Sequence, residues 1–445
     1  MRSINSPLSG FRKLFKAVQE AIADLYAIGG QSPKLVADFA NDYYRVASND
    51  STFANAITFS RSSLATYVDS NGVIQTAASG VARVGHHVYN GTSWVNEGLL
   101  VESEQRVNFV TYSEDFTDAS WNSDRAIFNA NAIIAPDGTT SATKYIATSD
   151  LDTAFCRFDL NSANSGRYTG SCFFKAGEYG FAALRLRTEN NTVAYTVVVD
   201  LSDGSVTDTF VLGSPNGSYA VKDFSNGWYR ISLSADHTVG VNVSLALSMS
   251  NSATPNYQFQ LPQFSGDGTS GVYIWGAQLE AGSTPSSYIP TSGSTATRAA
   301  ETLTLPAAQL PYNSTNMSIQ MDGRQTGDTY TLSRWYDDAN NYIALEANAS
   351  DFTFEQANGG TVDSVTGGSF TSGINVPYNI ASRHGSTFIN GATDGVALTE
   401  DTTPTALPDL STTDLELAPT YMGTIRTFRM WDVDLGDEGI EEASS

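Results

Sequence analysis

Aromatic rings and hydrogen-bonding side chains stand together in one short stretch of the last third of the chain, residues 335–341, which reads WYDDANN. Sugar binding uses this combination, because a ring stacks on a pyranose face while carboxylates and amides hydrogen-bond the hydroxyl groups. A second interpretation is a hairpin turn whose aromatic side chains pack in the core, and the sequence leaves both open. We predict a carbohydrate-binding site formed by Trp335, Tyr336, Asp337, Asp338 and Asn341.

Enzymatic chemistry has weaker support in the sequence. Four histidines leave few Ser-His-Asp combinations, and there is no G-x-S-x-G motif, P-loop, Rossmann fingerprint or Cys/His metal spacing. Glycosidases use two carboxylates, but acids are so plentiful that no pair stands out among Glu102/Glu104, Glu114/Asp115 and Asp337/Asp338. We predict no catalytic residue and no enzymatic activity, and keep a polysaccharide-degrading enzyme as the second alternative.

Histidines and cysteines give no metal motif. The adjacent His86 and His87 have no Cys/His cluster around them, so we expect turn or interface histidines rather than metal ligands. Cys156 and Cys172 lie among apolar residues in AFCRFDL and GSCFFKA, which predicts buried free thiols. A disulfide between neighbouring strands is the alternative for this pair.

The charge of the chain excludes one class of partner. Its formal net charge is −23, and Lys222 is its last lysine. Such a surface repels phosphate backbones, so we predict no nucleic-acid partner. No segment approaches the ~18 consecutive apolar residues of a membrane helix, so we predict no membrane insertion.

The first 50 residues are predicted to be helical. Apolar residues recur at three- and four-residue spacing from Phe11 to Ile28, and Gly29 and Gly30 then end the helix. A second apolar stripe, from Leu35 to Val46, follows Pro33. This segment is either a helical hairpin packed on its own β domain or an oligomerisation and docking segment with a short heptad seam.

The rest of the chain is typical of an all-β protein. Short apolar runs recur at roughly 8–12-residue spacing with turn signals between them, as expected for sandwiches or jelly rolls. The predicted fold class is mainly β, with a short N-terminal helical segment followed by two β-sandwich (jelly-roll) domains in series. The predicted divisions are a helical anchor (1–50), an extended strap (51–98), a jelly roll (99–280), a linker (281–300) and a second sandwich (301–445).

Several spaced motifs occur in order: FSRSSLATYVDSNGVIQTA from Phe59, VARVGHHVYNG from Val81, GLLVESEQRVNFVTYSEDF from Gly98 and VYIWGAQLEAGSTPSSYIPTSGSTATRAAETLTL from Val272. Together they resemble a module of tailed-phage and prophage virion proteins that precedes a jelly roll similar to carbohydrate-binding modules. The C-terminal segment, with SRWYDDANNYIALEA and YMGTIRTFRMWDVDLGDEGI, resembles concanavalin-like or laminin-G-like domains.

The resemblance implies a structural protein of the phage virion, assembled in the host cytoplasm. It implies a tail-fibre, head-fibre, spike or tail component that mediates adhesion to host-surface glycans. The first alternative is a structural connector or capsid decoration protein without glycan binding. Expected partners are other virion proteins, bound through the N-terminal segment, host polysaccharide, and further copies of the chain, preferably in a trimer. Similar jelly rolls often hold structural calcium, but no spaced ligand set accompanies Glu114 and Asp115. We predict no cofactor and keep a structural calcium ion as the alternative.

Overall fold

The computed structural model describes residues 25–161, 163–188, 192–213, 215–237, 242–327 and 329–445. It is 56% strand and 4% helix, which confirms the mainly β fold class. The predicted apolar stripe from Phe11 to Ile28 lies almost entirely outside the described residues.

Short strands of two to four residues, with one helical turn, fill the N-terminal part of the described chain. They are β1 (Leu35–Asp38), β2 (Tyr43–Val46), β3 (Asn49–Ser51), α1 (Phe53–Ala56), β4 (Thr58–Ser60), β5 (Ala65–Val68), β6 (Ile74–Ala77), β7 (Arg83–Val84), β8 (His87–Tyr89), β9 (Trp94–Asn96), β10 (Leu99–Glu102) and β11 (Arg106–Asn108). Asp69 makes the turn between β5 and β6, because its Oδ1 accepts hydrogen bonds from the backbone N–H groups of Asn71 and Val73.

The predicted second helix, from Leu35 to Val46, is wrong. This stretch forms the antiparallel strands β1 and β2, which pair Leu35 with Val46. All four residues of β1 are buried, and the first three, Leu35 to Ala37, form a continuous apolar run instead of an alternating pattern. Such a run does not distinguish a buried strand from a helix by periodicity, which explains the error.

The central part of the chain is a sandwich of two six-stranded antiparallel sheets. The strands of this part of the chain are β12 (Asn122–Asp124), β13 (Ala126–Ile133), β14 (Ala142–Ala147), β15 (Leu151–Asp152), β16 (Phe155–Leu160), β17 (Gly166–Ala176), β18 (Phe181–Thr188), β19 (Val193–Asp200), β20 (Val206–Leu212), β21 (Ser218–Asp223), β22 (Trp228–His237), β23 (Val243–Ser250), β24 (Asn256–Gln258), β25 (Leu261–Ser265) and β26 (Gly271–Ala281). Of these, β15, β25 and β24 form a separate three-stranded sheet. The sheet orders are β12-β16-β23-β18-β19-β20 and β13-β14-β26-β17-β22-β21. Cys156 and Cys172 lie in the core between these sheets as free thiols, as predicted.

The C-terminal part forms a second sandwich. The elements of this part of the chain are β27 (Ala296–Arg298), β28 (Thr302–Leu305), a 3-10 helix (Ala307–Gln309), β29 (Asn316–Gly327), β30 (Tyr330–Asp338), β31 (Asn341–Ala347), β32 (Phe352–Asn358), β33 (Thr361–Gly367), β34 (Gly373–Gly385), β35 (Ile389–Thr393), β36 (Val396–Ala397), β37 (Leu415–Thr420), β38 (Met422–Trp431) and α2 (Gly436–Ala443). Of these, β27 lies outside the two sandwich sheets and pairs with β11. One sheet has the order β33-β32-β31-β30-β37-β28-β4. The other has the order β3-β2-β1-β38-β29-β34-β35-β36, with β10 and β7 added beside β38.

The N-terminal strands therefore complete the C-terminal sandwich. Leu99 of β10 pairs with Ile425 of β38, so the strand predicted to open the central jelly roll belongs to the other sandwich. Leu35 of β1 pairs with Met430 on the same strand β38. The predicted strap and second domain share one hydrophobic core. Independent folding of the predicted divisions stays a prediction.

Residues 281–300 are packed, contrary to the predicted linker. Tyr288, Ile289 and Arg298 are buried, and β27 pairs with β11. The composition of this segment, rich in Ser, Thr, Pro and Gly, suggested a boundary. The segment is held by hydrogen bonds to residues far away in the sequence; Asn108 Nδ2, for example, donates to the Ile289 carbonyl oxygen at 2.9 Å.

A buried charge cluster of Arg61, Arg83, Glu102, Arg298 and Glu301 joins the strap to residues 298–301. Glu301 pairs with Arg61 at 2.6 Å and with Arg83 at 2.7 Å. Glu102 pairs with Arg83 at 2.8 Å and with Arg298 at 3.0 Å. Burial opposes ionisation of Glu102, but Arg298 and Arg83 outweigh it and lower the pKa of this carboxyl group well below its usual range. The cluster fixes segments that lie about 200 residues apart in the sequence.

Candidate functional site

The structure places the residues of the predicted carbohydrate-binding site in two different environments, one buried and one at the surface. Trp335, in β30, is 1% exposed, and its Nε1–H donates to the Thr413 carbonyl oxygen at 2.8 Å. Tyr312 packs edge-on against the same ring, with the ring centroids 5.8 Å apart. The prediction that Trp335 is a sugar-stacking platform is therefore wrong: strand alternation points this side chain into the core.

The other predicted residues form the end of a β-hairpin. Tyr336 is partly exposed beneath the Arg334 guanidinium, which lies 4.5 Å from the ring centroid. Asp337 and Asp338 are exposed, and Asp338 Oδ1 accepts a hydrogen bond from Asn341 Nδ2 at 3.0 Å. Carbohydrate binding by Tyr336, Asp337, Asp338 and Asn341 stays a prediction.

A second candidate lies on the outer face of the central sheet that contains β16, β23 and β18. Arg157 of β16 and Arg185 of β18 both align with Ala246 of β23, which lies between them. Side chains alternate across a strand, so Asp159 and Arg187 lie on the same outer face. The inward-facing neighbours Cys156 and Leu184 pack in the core. The small Ala246 side chain leaves room for a guanidinium group on each side.

The cations of this face are only partly neutralised. Arg157 Nε donates to Asp159 Oδ2 at 2.8 Å. Arg185 is 2% exposed; its Nη1 donates to the Phe259 carbonyl oxygen, and its buried Nε has no hydrogen-bond partner. Burial, followed by repulsion from Arg187 and Arg157, lowers the pKa of Arg185 to about 9. An anion bound at this face would offset that repulsion.

Aromatic rings flank the same face. The Arg157 guanidinium lies 5.6 Å from the centroid of the Phe155 ring. The hairpin of β24 and β25 covers one side, where Thr196 Oγ1 donates to the Gln260 carbonyl oxygen at 2.6 Å. At the hairpin tip Phe259 has φ +52° and is 60% exposed. Gln260 has φ +62°, so both residues of this two-residue hairpin loop adopt the positive φ values that such a turn requires.

We call Phe155, Arg157, Asp159, Arg185, Arg187 and Phe259 the arginine face. The partly exposed Arg157 and Arg187 offer charge-assisted donors for an anionic group, Phe259 offers an exposed ring for stacking, and Arg185 is buried. Sequence reasoning missed it, because the arginines are single residues within two apolar strands and the net charge drew attention to acidic surfaces. The alternation of arginines with apolar residues in CRF and LRLR was the available signal.

The other residues that the sequence analysis considered as metal ligands or catalytic groups lie outside the arginine face. His86 is buried and its Nδ1 accepts a hydrogen bond from the Val68 backbone N–H, while His87 Nδ1 contacts the Gly85 carbonyl oxygen. Glu114 accepts a hydrogen bond from the Tyr288 hydroxyl at 2.8 Å. Within the described residues no group of three or more His, Cys, Asp and Glu side chains is placed to hold a metal ion. Nor does any helix there have the length and apolar character needed to cross a membrane.

No protein-family model matches the chain, and no curated protein matches it. Among solved structures it is similar to a Ruminococcus gnavus sialidase module of type CBM40 bound to sialyllactose, with 14% identity over 29% of this chain and 83% of that one (TM-score 0.25). Mouse laminin alpha1 domains LG4-5 match with 12% identity over 64% of this chain and 86% of that one (TM-score 0.24). A tail fibre protein of an E. coli phage matches with 10% identity over 77% of this chain and 45% of that one (TM-score 0.18). At these TM-scores we base no functional conclusion on the matches.

Proposed function

We propose that this chain is an adhesion component of a tailed-phage virion, a fibre, spike or tail protein that binds acidic host-surface glycans through its arginine face. The strand register that places Arg157, Asp159, Arg185 and Arg187 on one face of the sheet carries the glycan part of the proposal. The virion part rests on the resemblance of the ordered motifs from Phe59 to Leu305. Docking through the N-terminal segment and trimer formation belong to the same proposal.

The ligand class follows from the charges. Guanidinium groups bind carboxylates with two parallel hydrogen bonds, so a uronate or another acidic sugar meets the donors of this face. The exposed Phe259 ring offers a stacking surface for a neighbouring sugar ring. The formal charge of −23 repels acidic polymers from the surface as a whole, so an acidic glycan would have to be held by the local positive charge of the arginine face.

Replacing Arg157 and Arg187 together by alanine should weaken binding of hyaluronate, a uronate-containing polysaccharide, by about 100-fold or more. Each lost hydrogen bond to a charged group weakens binding by about 1.5–3 kcal/mol. Both side chains are partly exposed, so the double variant should still fold. Calorimetric titration of the full chain with hyaluronate and with neutral dextran measures the effect.

Arg125→Ala is the matched control, since this arginine of the same sandwich is already paired with Asp124 at 2.6 Å and Asp152 at 3.1 Å. We expect it to bind like the wild type. Equal binding of dextran and hyaluronate, or full binding by the double variant, would contradict the arginine face. If Tyr336→Ala were the only variant to lose binding, the glycan site would be the C-terminal hairpin and not the arginine face. An absence of binding to every glycan tested would favour the connector alternative, and release of reducing sugar would favour the enzyme.

A further inference from the structure

A cavity of about 100 Å³ lies where the strap and the two sandwiches meet. The strap contributes Val68 and His86, the central sandwich contributes Lys222 and Arg230, and the C-terminal sandwich contributes Met422. We call it the junction pocket. Its volume is somewhat below the ~150 Å³ of an engineered protein cavity that binds benzene, so it suits a small ligand.

Two cations face each other in this pocket. Lys222 of β21 is directly opposite Arg230 of β22 in the antiparallel register. Like charges at directly opposite positions destabilise a sheet. Burial, with repulsion from Arg230 and Arg324, also lowers the pKa of Lys222 to about 8. The pair therefore costs stability in the ligand-free protein.

The two cations keep unused hydrogen-bonding capacity. Arg230 Nη1 donates to the Ser286 carbonyl oxygen at 2.8 Å and Nη2 donates to Ser171 Oγ at 3.0 Å, but its buried Nε has no partner. Lys222 Nζ lies 5.5 Å from the centroid of the Phe224 ring. Within the described part of the chain, no carboxylate forms an ion pair with Lys222 within 4.0 Å.

The acid in the pocket wall is already engaged. Glu102 pairs with Arg83 and Arg298, and it accepts hydrogen bonds from the backbone N–H and the hydroxyl of Ser287, each at 2.7 Å. It lines the pocket without making an ion pair to Lys222 or Arg230 within 4.0 Å. The pocket thus presents two cations together with a carboxylate that Arg83 and Arg298 already neutralise, and Glu97 attracts Lys222 without forming an ion pair within 4.0 Å.

The remaining wall is largely apolar. Phe173 and Phe224 pack edge to face, with ring centroids 4.9 Å apart, and the Arg230 guanidinium lies 5.5 Å from the Phe173 ring centroid. Ile74 and Met422 complete this side of the pocket. Such a wall holds a compact apolar body, while the two cations hold a negative charge.

We propose that the junction pocket binds a small monocarboxylate with a compact apolar body, with its carboxylate between Lys222 and Arg230 and its body against Phe173 and Phe224. This site lies apart from the arginine face and goes beyond the proposed adhesion. A bound carboxylate relieves the repulsion between the two cations. It also contacts a pocket to which both sandwiches contribute, so its binding stabilises their packing.

Isobutyrate, whose apolar body is smaller than a benzene ring, is the probe, and isobutanol is its neutral counterpart. We expect isobutyrate to bind the full-length chain saturably, with a dissociation constant of about 1 mM or lower, and to raise the melting temperature. Isobutanol and inorganic phosphate should each bind at least ~10-fold more weakly, since one lacks the charge and the other the apolar body. Equal binding of isobutyrate and isobutanol, or tighter binding of phosphate, would overturn the assignment.

Lys222→Met should weaken isobutyrate binding at least ~10-fold, and the ligand-free variant should melt at a higher temperature because a partly buried charge opposite Arg230 is removed. Lys144→Met is the matched control, a lysine of the same sheet that pairs with the exposed Glu178, and it should bind like the wild type. Ala220→Leu, which fills the pocket without removing a charge, should also abolish binding. Unchanged isobutyrate binding in Lys222→Met or in Ala220→Leu would contradict the proposal.

Discussion

Replacing Glu301 by glutamine should lower the free energy of unfolding by about 3–5 kcal/mol. The substitution removes the carboxylate that pairs with Arg61 and Arg83, and all three side chains are fully buried. The guanidinium groups of Arg61 and Arg83 would then stay buried without the carboxylate charge of Glu301 to neutralise them. Urea unfolding, followed by tryptophan fluorescence, measures the change.

Glu104→Gln provides the control for this prediction. Its side chain is 51% exposed and pairs with Arg106, so its loss should change stability by no more than about 1 kcal/mol. A similar small change in Glu301→Gln would show that the buried charge cluster does not hold the strap against residues 298–301.

Trp335→Ala should destabilise the C-terminal sandwich by about 3–5 kcal/mol. The indole is buried in the core and its N–H is hydrogen-bonded to the Thr413 carbonyl oxygen, so alanine leaves both a cavity and an unpaired acceptor. Calorimetry of the full chain should show a large fall in melting temperature.

The neighbouring Tyr336→Ala serves as the comparison, because Tyr336 is partly exposed at the outer face of the same strand. We expect it to cost much less stability than Trp335→Ala. A Trp335→Ala variant with a nearly unchanged melting temperature would contradict the core position and would restore the exposed sugar platform.

Local patterns were enough to predict much of the fold. Alternating segments such as MSIQM and the turn residues between them predicted strands, and β29 indeed begins at Asn316. The apolar surroundings of Cys156 and Cys172 predicted buried thiols, which the structure confirms. These features depend on residues close together in the sequence.

Features that depend on distant partners were not predictable in this way. Arg298 lies in a segment of linker-like composition, and its burial depends on Glu102, which is far away in the sequence. β1 is a strand because it adds to β38, almost 400 residues later. The arginine face likewise requires the register that places Arg157 and Arg185 on either side of Ala246. The identity of these distant partner strands is not readable from the local pattern of one sequence, and a slip of one residue would move both arginines to the opposite face.

The most direct test of the adhesion proposal is a crystal structure of the chain with a hyaluronate oligosaccharide. We expect a uronate carboxylate within hydrogen-bonding distance of Arg157 and Arg187, and a sugar ring stacked on Phe259. An oligosaccharide bound at the hairpin of residues 336–341, or an arginine face left empty at saturating ligand, would contradict the account.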